Sequence, residues 1–299
     1  MTGTPHAHDP ANNLRGILAM LMSMAAFVAN DALVKLSAAI LPMGQVIFLR
    51  GVVTVLMCLA VLQVTGNIGS LGLAFSPRVL ARGMADVMAA LTFLFALRSM
   101  PIADAYAILQ FTPLAITAGA ALFLGARVGW RRWLATVVGL LGVLIIVRPG
   151  GAAFNASSLL ALTSIIFSVL RDLLTRGITF NVPPMAIAFT SPLLLSIVSV
   201  GFAFVEEWGR PTPRAVMYIC AAGVLLLSGQ IWLIRAMRTG EIAVVAPFRY
   251  SIILWSILAG FVVWHELPDP QTFIGIAIVF SAGLYTFWRE QTLSRAGRM

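Results

Sequence analysis

Charge is what this sequence has least of. Only 10% of its 299 residues are Asp, Glu, Lys or Arg, where soluble domains carry roughly a quarter. With 60% hydrophobic residues and a mean hydropathy of +0.96, an ordinary water-soluble domain is excluded. Cysteine is almost absent: Cys58 and Cys220 lie far apart, each inside an apolar stretch, so neither a disulfide framework nor a metal cluster is indicated. The three histidines, His6, His8 and His265, fall outside the central apolar runs, and the chain has no H-E-x-x-H, G-x-S-x-G or nucleotide-binding loop motif. An intramembrane enzyme would need a nucleophile with a base, or a metal cluster. The expectation is therefore a protein that is not an enzyme and holds no cofactor. The net charge of +9 is spread in ones to threes between apolar runs, so it makes no nucleic-acid footprint. The polar start, Met1 to Asn13, has no basic run ahead of a small-residue cleavage site and reads as no signal peptide.

Long apolar runs are what the sequence has in abundance. A hydrocarbon core about 30 Å thick takes about 20 helical residues to cross. Runs bounded by charge, Pro or Gly cover 14–36, 43–64, 78–98, 102–124, 131–149, 157–177, 185–206, 214–236, 241–264 and 271–289. They are continuous rather than alternating, which favours helices over a membrane β-barrel. The fold class is thus an all-α integral membrane protein with ten transmembrane helices.

Loop charges orient the bundle. With a cytoplasmic N-terminus, thirteen of the twenty basic residues fall inside: Arg15, Arg78, Arg82, Arg127, Arg131, Arg132, Arg171, Arg176, Arg235, Arg238, Arg289, Arg295 and Arg298. Five fall outside: Lys35, Arg98, Arg148, Arg210 and Arg214. The positive-inside rule then puts both termini in the cytoplasm of a bacterial-type inner membrane.

The chain also repeats itself. Leu97-Arg98-Ser99-Met100 matches Ile234-Arg235-Ala236-Met237 at an offset of 137, and the same offset sets Asp104 on Glu241. Asp31 and Lys35 fall on Asp172 and Arg176 at an offset of 141, and Arg132-Trp133-Leu134 falls on Thr272-Phe273-Ile274 at 140. One order at nearly one offset indicates a duplicated five-helix unit, residues 14–149 and 157–289, between tails at 1–13 and 290–299. An odd number of helices inverts the second copy. Inverted repeats characterise secondary transporters, with the substrate site near the midplane between the halves.

Phe48-Leu49-Arg50, Thr112-Pro113-Leu114, and Trp133 with Gly139 and Gly142 together resemble one EamA-type unit. Ala246-Pro247-Phe248-Arg249-Tyr250 followed by His265-Glu266 is similar to a second. EamA domains belong to the drug/metabolite transporter superfamily, so the resemblance implies a ten-helix exporter or importer of small metabolites, and is compatible with its amino-acid exporters. Two departures stand out. The Gly-Glu usual at the end of the fourth helix is Gly125-Ala126 here, and Arg50 faces Ser191 in the repeat rather than a second arginine. Both features read as structural.

Ionisable side chains within spans are costly and mark function by default. Asp31 with Lys35, and Asp172 with Arg176, stand four apart on the first and sixth helices. They can pair on one face, either as helix-stabilising ion pairs or as gates remade when the halves rock. Asp86 has the same spacing from Arg82. Polar stripes run through Asn30 on the first helix, Tyr106, Gln110 and Pro113 on the fourth, and Arg171 on the sixth. Phe93 and Gln230 occupy equivalent repeat positions on the third and eighth. Pro113 and Pro247 free backbone groups, which a membrane tolerates where they are buried or line a cavity. Ala135, Gly139 and Gly142 on the fifth helix match Gly275, Val279 and Ala282 on the tenth; such small residues suit close packing that buttresses the bundle, or a dimer contact.

The expected substrate-binding set is Asn30, Phe93, Tyr106, Gln110, Phe167, Arg171, Gln230, Arg249 and Trp255. Cations beside amides suit a carboxylate and an amine, and the aromatics suit an apolar side chain. The expected function is alternating-access export of amino acids, aromatic or apolar ones included. The alternatives are import of a nucleoside-like or vitamin-like metabolite, or a channel. The expected partners are a small-molecule substrate and the lipid bilayer.

Overall fold

A computed structural model describes residues 10–124, 129–149, 156–175 and 184–296. Arg176, Gly125, Ala126, His6 and His8 lie outside them. Ten helices among the described residues are long and apolar enough to span a membrane. Eight are labelled simply: α1 (Pro10–Ala38), α2 (Met43–Val64), α3 (Pro77–Ser99), α5 (Trp130–Val147), α6 (Ala156–Thr175), α7 (Pro184–Ser199), α8 (Pro213–Thr239) and α10 (Pro270–Ala296). The other two are broken. α4 consists of Ile102–Leu109 and Thr112–Leu124, and α9 runs from Ile242–Val245 through a 3₁₀ stretch, Ala246–Ser251, to Ile252–Ala259.

Proline chemistry sets the breaks. Pro113 has no N–H to offer the Leu109 carbonyl four residues back, and its ring crowds that group. The Thr112 hydroxyl takes the carbonyl instead, at 2.6 Å. Pro247 opens α9 in the same way, within the 3₁₀ turn. By the repeat offset of 137, Gln110 corresponds to Pro247, so the two interruptions stand at equivalent places in the two halves.

The helix contacts carry the same symmetry. α1 lies along α8, and α6 lies along α3; α2 packs on α7, and α5 on α10. Exchanging the halves turns the first pairing into the second and each of the other two into itself, as two inverted repeats require. At the α5–α10 contact a Cβ on Gly142 would stand 3.0 Å from the Gly275 carbonyl, and one on Gly275 2.8 Å from the Gly142 carbonyl. Only glycine lets these backbones approach so closely.

The largest apolar core gathers at one end of the bundle, where α1 turns into α2 and α3 into α4. Val34, Met43, Val46, Ile47, Leu97 and Ile102 are fully buried there. Hydrogen bonds between the halves add to it: the Gln45 amide donates to the Gly209 carbonyl at 2.7 Å, and Gly44 N–H donates to Glu206 at 3.0 Å. At the same end Arg148 closes α5 in the left-handed region (φ 51) and turns its side chain onto Asp269. Asp269 in turn caps α10 by accepting the Thr272 N–H at 2.8 Å, ahead of Pro270 in the first turn. The Arg148 guanidinium, then the capped N–H, hold the Asp269 carboxyl down at about 2.

Candidate transport cavity

Two cavities open between the repeats. The larger, of about 440 Å³, is lined from α1, α2, α3, α4, α7, α8 and α9. The smaller, of about 350 Å³, is lined mainly from α4, α6, α9 and α10. Tyr106, Leu109 and Ile252, at the breaks of α4 and α9, belong to both walls. Interrupted helices therefore stand where the two lobes meet, the place where irregular backbone is tolerated inside a membrane.

Two polar clusters bound the larger lobe. Asp31, late in α1, sits beside Arg50, early in α2, and Tyr106, early in α4. Its Oδ1 accepts the Asn30 amide at 2.7 Å, and its Oδ2 accepts the Tyr106 hydroxyl at 2.6 Å. Arg50 is only 4% exposed, and its Nη1 stands 3.9 Å from Asp31. The second cluster is at the opposite end, since it uses the start of α3 and the end of α6. Arg82 Nη1 binds Asp86 at 3.2 Å and donates to the Ser191 hydroxyl at 2.7 Å. Arg171 binds Asp86 at 3.0 Å and Asp172 at 2.8 Å. Charges taken out of water are tolerated only when paired and hydrogen-bonded, and these four form one chain across the two halves.

Between the clusters the wall is mostly apolar: Phe27, Val87, Phe93, Leu94 and Leu195. The Phe93 and Tyr106 rings meet edge to face, with centroids 5.5 Å apart. The arrangement can hold a molecule with an apolar body and charged or hydrogen-bonding ends. Among the described residues, no group of three or more His, Cys, Asp or Glu could hold a metal ion.

The sequence profile of the EamA-like transporter family matches residues 14–148 and again 155–288. The chain belongs to this EamA-like transporter family. The EamA-like transporter is 26% identical over 276 residues to the pseudopaline exporter CntI of Pseudomonas aeruginosa, covering 89% of this chain and 94% of the relative. It is 30% identical over 199 residues to a riboflavin transporter of Rhizobium johnstonii, covering 67% of this chain and 66% of that one. It is 25% identical to an S-adenosylmethionine uptake transporter of Rickettsia bellii, covering 92% and 94% of the two chains. A solved crystal structure, 18% identical, shares the fold with a TM-score of 0.62 over 91% of this chain. Exporters and importers of unlike cargo thus share this architecture.

Asn30, Phe93, Tyr106 and Gln230 of this EamA-like transporter line the larger lobe. Gln110, Arg171 and Arg249, again with Tyr106, line the smaller. Phe167 and Trp255 line neither; Trp255 packs partly buried against the apolar core and against the α1–α8 contact.

The expected ion pairs are different in the structure. Asp31 does not pair with Lys35, because Asn30, Tyr106 and Arg50 reach its carboxylate first. Lys35 extends toward the helix end instead, as long cationic chains do. Its Nζ donates to the Met100 carbonyl at 2.7 Å and lies 4.8 Å from the Trp264 ring centroid. Asp172 is held by Arg171, while its expected partner Arg176 is outside the described residues. The Arg82–Asp86 pair forms and is extended by Arg171.

Sequence reasoning missed the α2 and α7 contributions to the wall: Arg50, Thr54 and Cys58, and Ser191 and Pro192. The available signal was Arg50 itself, an ionisable residue seven positions into an apolar span.

Proposed function

We propose that the protein exports amino acids, including aromatic and apolar ones, across a bacterial inner membrane by alternating access. The observation that carries this reading is the larger lobe, where Arg50, Arg82, Asp31 and Asp86 bound an apolar chamber. A zwitterion with an apolar side chain presents a carboxylate, an amine and a hydrocarbon body, and each has a complement there. In this reading residues 14–149 and 157–289 are the units that rock. The distribution of thirteen basic residues against five orients both termini inward. The tightly packed end then faces outward, and the form described is closed on that side. The contacts of Arg82, Asp86, Arg171 and Asp172 join the halves at the inner end in the form described and would rearrange as the halves rock, which gives these residues the role of an inner gate.

Counterflow in proteoliposomes tests the substrate. Vesicles loaded with unlabelled L-phenylalanine should accumulate the labelled amino acid transiently, with saturation. If no member of an amino-acid panel drives such exchange, the amino-acid assignment fails. The second reading is uptake of a vitamin-like or nucleoside-like metabolite, favoured by similarity to a riboflavin transporter and an S-adenosylmethionine uptake transporter. Counterflow of riboflavin or S-adenosylmethionine in the same vesicles would support it.

A further inference from the structure

We propose that Arg50 is the anchor for the substrate's carboxylate, and that Asp31 is an internal competitor for it. The inference rests on the transport reading and on a cargo that bears a carboxylate, but not on which such cargo is carried.

Arg50 is buried in α2, lines the larger lobe, and has far more donors than acceptors. A guanidinium offers five N–H donors in a rigid fork. Among the described residues only Nη1 has an acceptor nearby, at 3.5 Å from Asn30 Oδ1 and 3.9 Å from Asp31 Oδ1. Its Nε, also buried, has none. A buried donor left unmade is costly.

The neighbouring carboxylate does not need that guanidinium for its hydrogen bonds. Asp31 Oδ1 is served by Asn30 and Oδ2 by Tyr106, both at 2.7 Å or less. Asp31 thus balances the charge of Arg50 without occupying its fork. The planar donor face is left for a second carboxylate, the group that bidentate geometry fits best. Arg82, the other cation of this lobe, is committed differently. Its Nη1 is engaged at 3.2 Å by Asp86 and at 2.7 Å by Ser191, although its Nε also lacks an acceptor. Tyr106 links the anchor to the helix break of α4: its hydroxyl holds Asp31 while its ring packs on Phe93. A substrate carboxylate drawn onto Arg50 would compete with Asp31 and bear on the broken helix through that hydroxyl.

The test uses purified full-length protein in detergent and two probes of one shape, 3-phenylpropionate and its amide, 3-phenylpropanamide. Binding is read by tryptophan fluorescence and by thermal shift. Wild type should prefer the acid by about tenfold or more. D31N should strengthen that preference several-fold, because it removes the competing charge. R50Q should erase it. Since R50Q leaves Asp31 without a counter-charge and can misfold, D31N/R50Q is the second variant; it removes both charges and should bind acid and amide alike. An opposite response of D31N and R50Q is not what a purely structural ion pair would give. The proposal is overturned if wild type does not discriminate, if D31N/R50Q still prefers the acid, if D31N weakens the preference, or if R82Q rather than R50Q erases it. If the preference behaves as expected and no amino acid exchanges in liposomes, the amino-acid reading fails and the anchor stands.

Discussion

Arg171 of α6 binds Asp86 of α3 at 3.0 Å through Nη1, while its Nε is held at 2.8 Å by Asp172, the next residue of its own helix. One guanidinium therefore joins the two repeats and neutralises two acids. Removing it alone should leave Asp86 to Arg82 and take from Asp172 the guanidinium that binds it at 2.8 Å. R171Q should lower stability by about 1.5–3 kcal/mol, the usual worth of hydrogen bonds to charged groups. R171Q/D172N should cost less than R171Q, because Asp172 is then neutral while Asp86 keeps Arg82. Thermal melting of the detergent-solubilised variants checks the order; equal losses would remove the claim that this pair is charge-balanced.

The two prolines that break α4 and α9 make a different prediction. P113A returns an N–H that can reach the Leu109 carbonyl, which Thr112 now occupies. P247A does the same for α9. Each should leave melting unchanged or slightly raised, since proline is tolerated in a first turn and its replacement adds a backbone donor. Each should slow counterflow, because a continuous helix stiffens the wall shared by the two lobes. A variant that transports at the wild-type rate would show that the breaks are incidental to turnover.

Gly142 and Gly275 test the buttress formed by α5 and α10. A methyl group at Gly142 meets Val279 and the Gly275 carbonyl, and one at Gly275 meets Ile146 and the Gly142 carbonyl, so the facing backbone as well as a side chain would have to move. G142A or G275A should destabilise by about 1–3 kcal/mol, the range for overpacking. Both cavities lie elsewhere, so substrate affinity of the folded fraction should hold.

The Arg148–Asp269 pair predicts a pH response. The Asp269 carboxyl lies at about 2 in the folded protein, below the usual value of about 3.9 for an unfolded chain. A depressed carboxyl stabilises above its unfolded pKa and loses that contribution as pH falls through its folded one. Wild type should thus melt higher than D269N at neutral pH, and the gap should close between about pH 4 and pH 2. The gap should also shrink in high salt, since the pair is partly exposed.

Much of this architecture was legible in the residues. The ten spans follow from run length alone, and Pro113 and Pro247 marked both interruptions. The cavity wall was harder, because a helix's own spacing does not say which neighbours arrive. Asp31 and Lys35 are four apart and looked like partners, yet Tyr106, 75 residues away, approaches Asp31 to 2.6 Å. Arg50 looked structural because its repeat position holds serine. Thr54 and Cys58 carry little polarity, so Arg50 was the one residue of α2 to separate a wall from a packing face.

The serine at 191 has a consequence for the ancestry of the chain. Its hydroxyl accepts from Arg82 at 2.7 Å. By the 141-residue offset Ser191 stands where the first half has Arg50, and Arg171 stands where it has Asn30. Each half thus keeps one cation beside its acid, but on a different helix. Arg50 stays with Asp31 inside its own half, whereas Arg171 reaches across to Asp86 of the other. The two copies have diverged in where they keep one and the same charge.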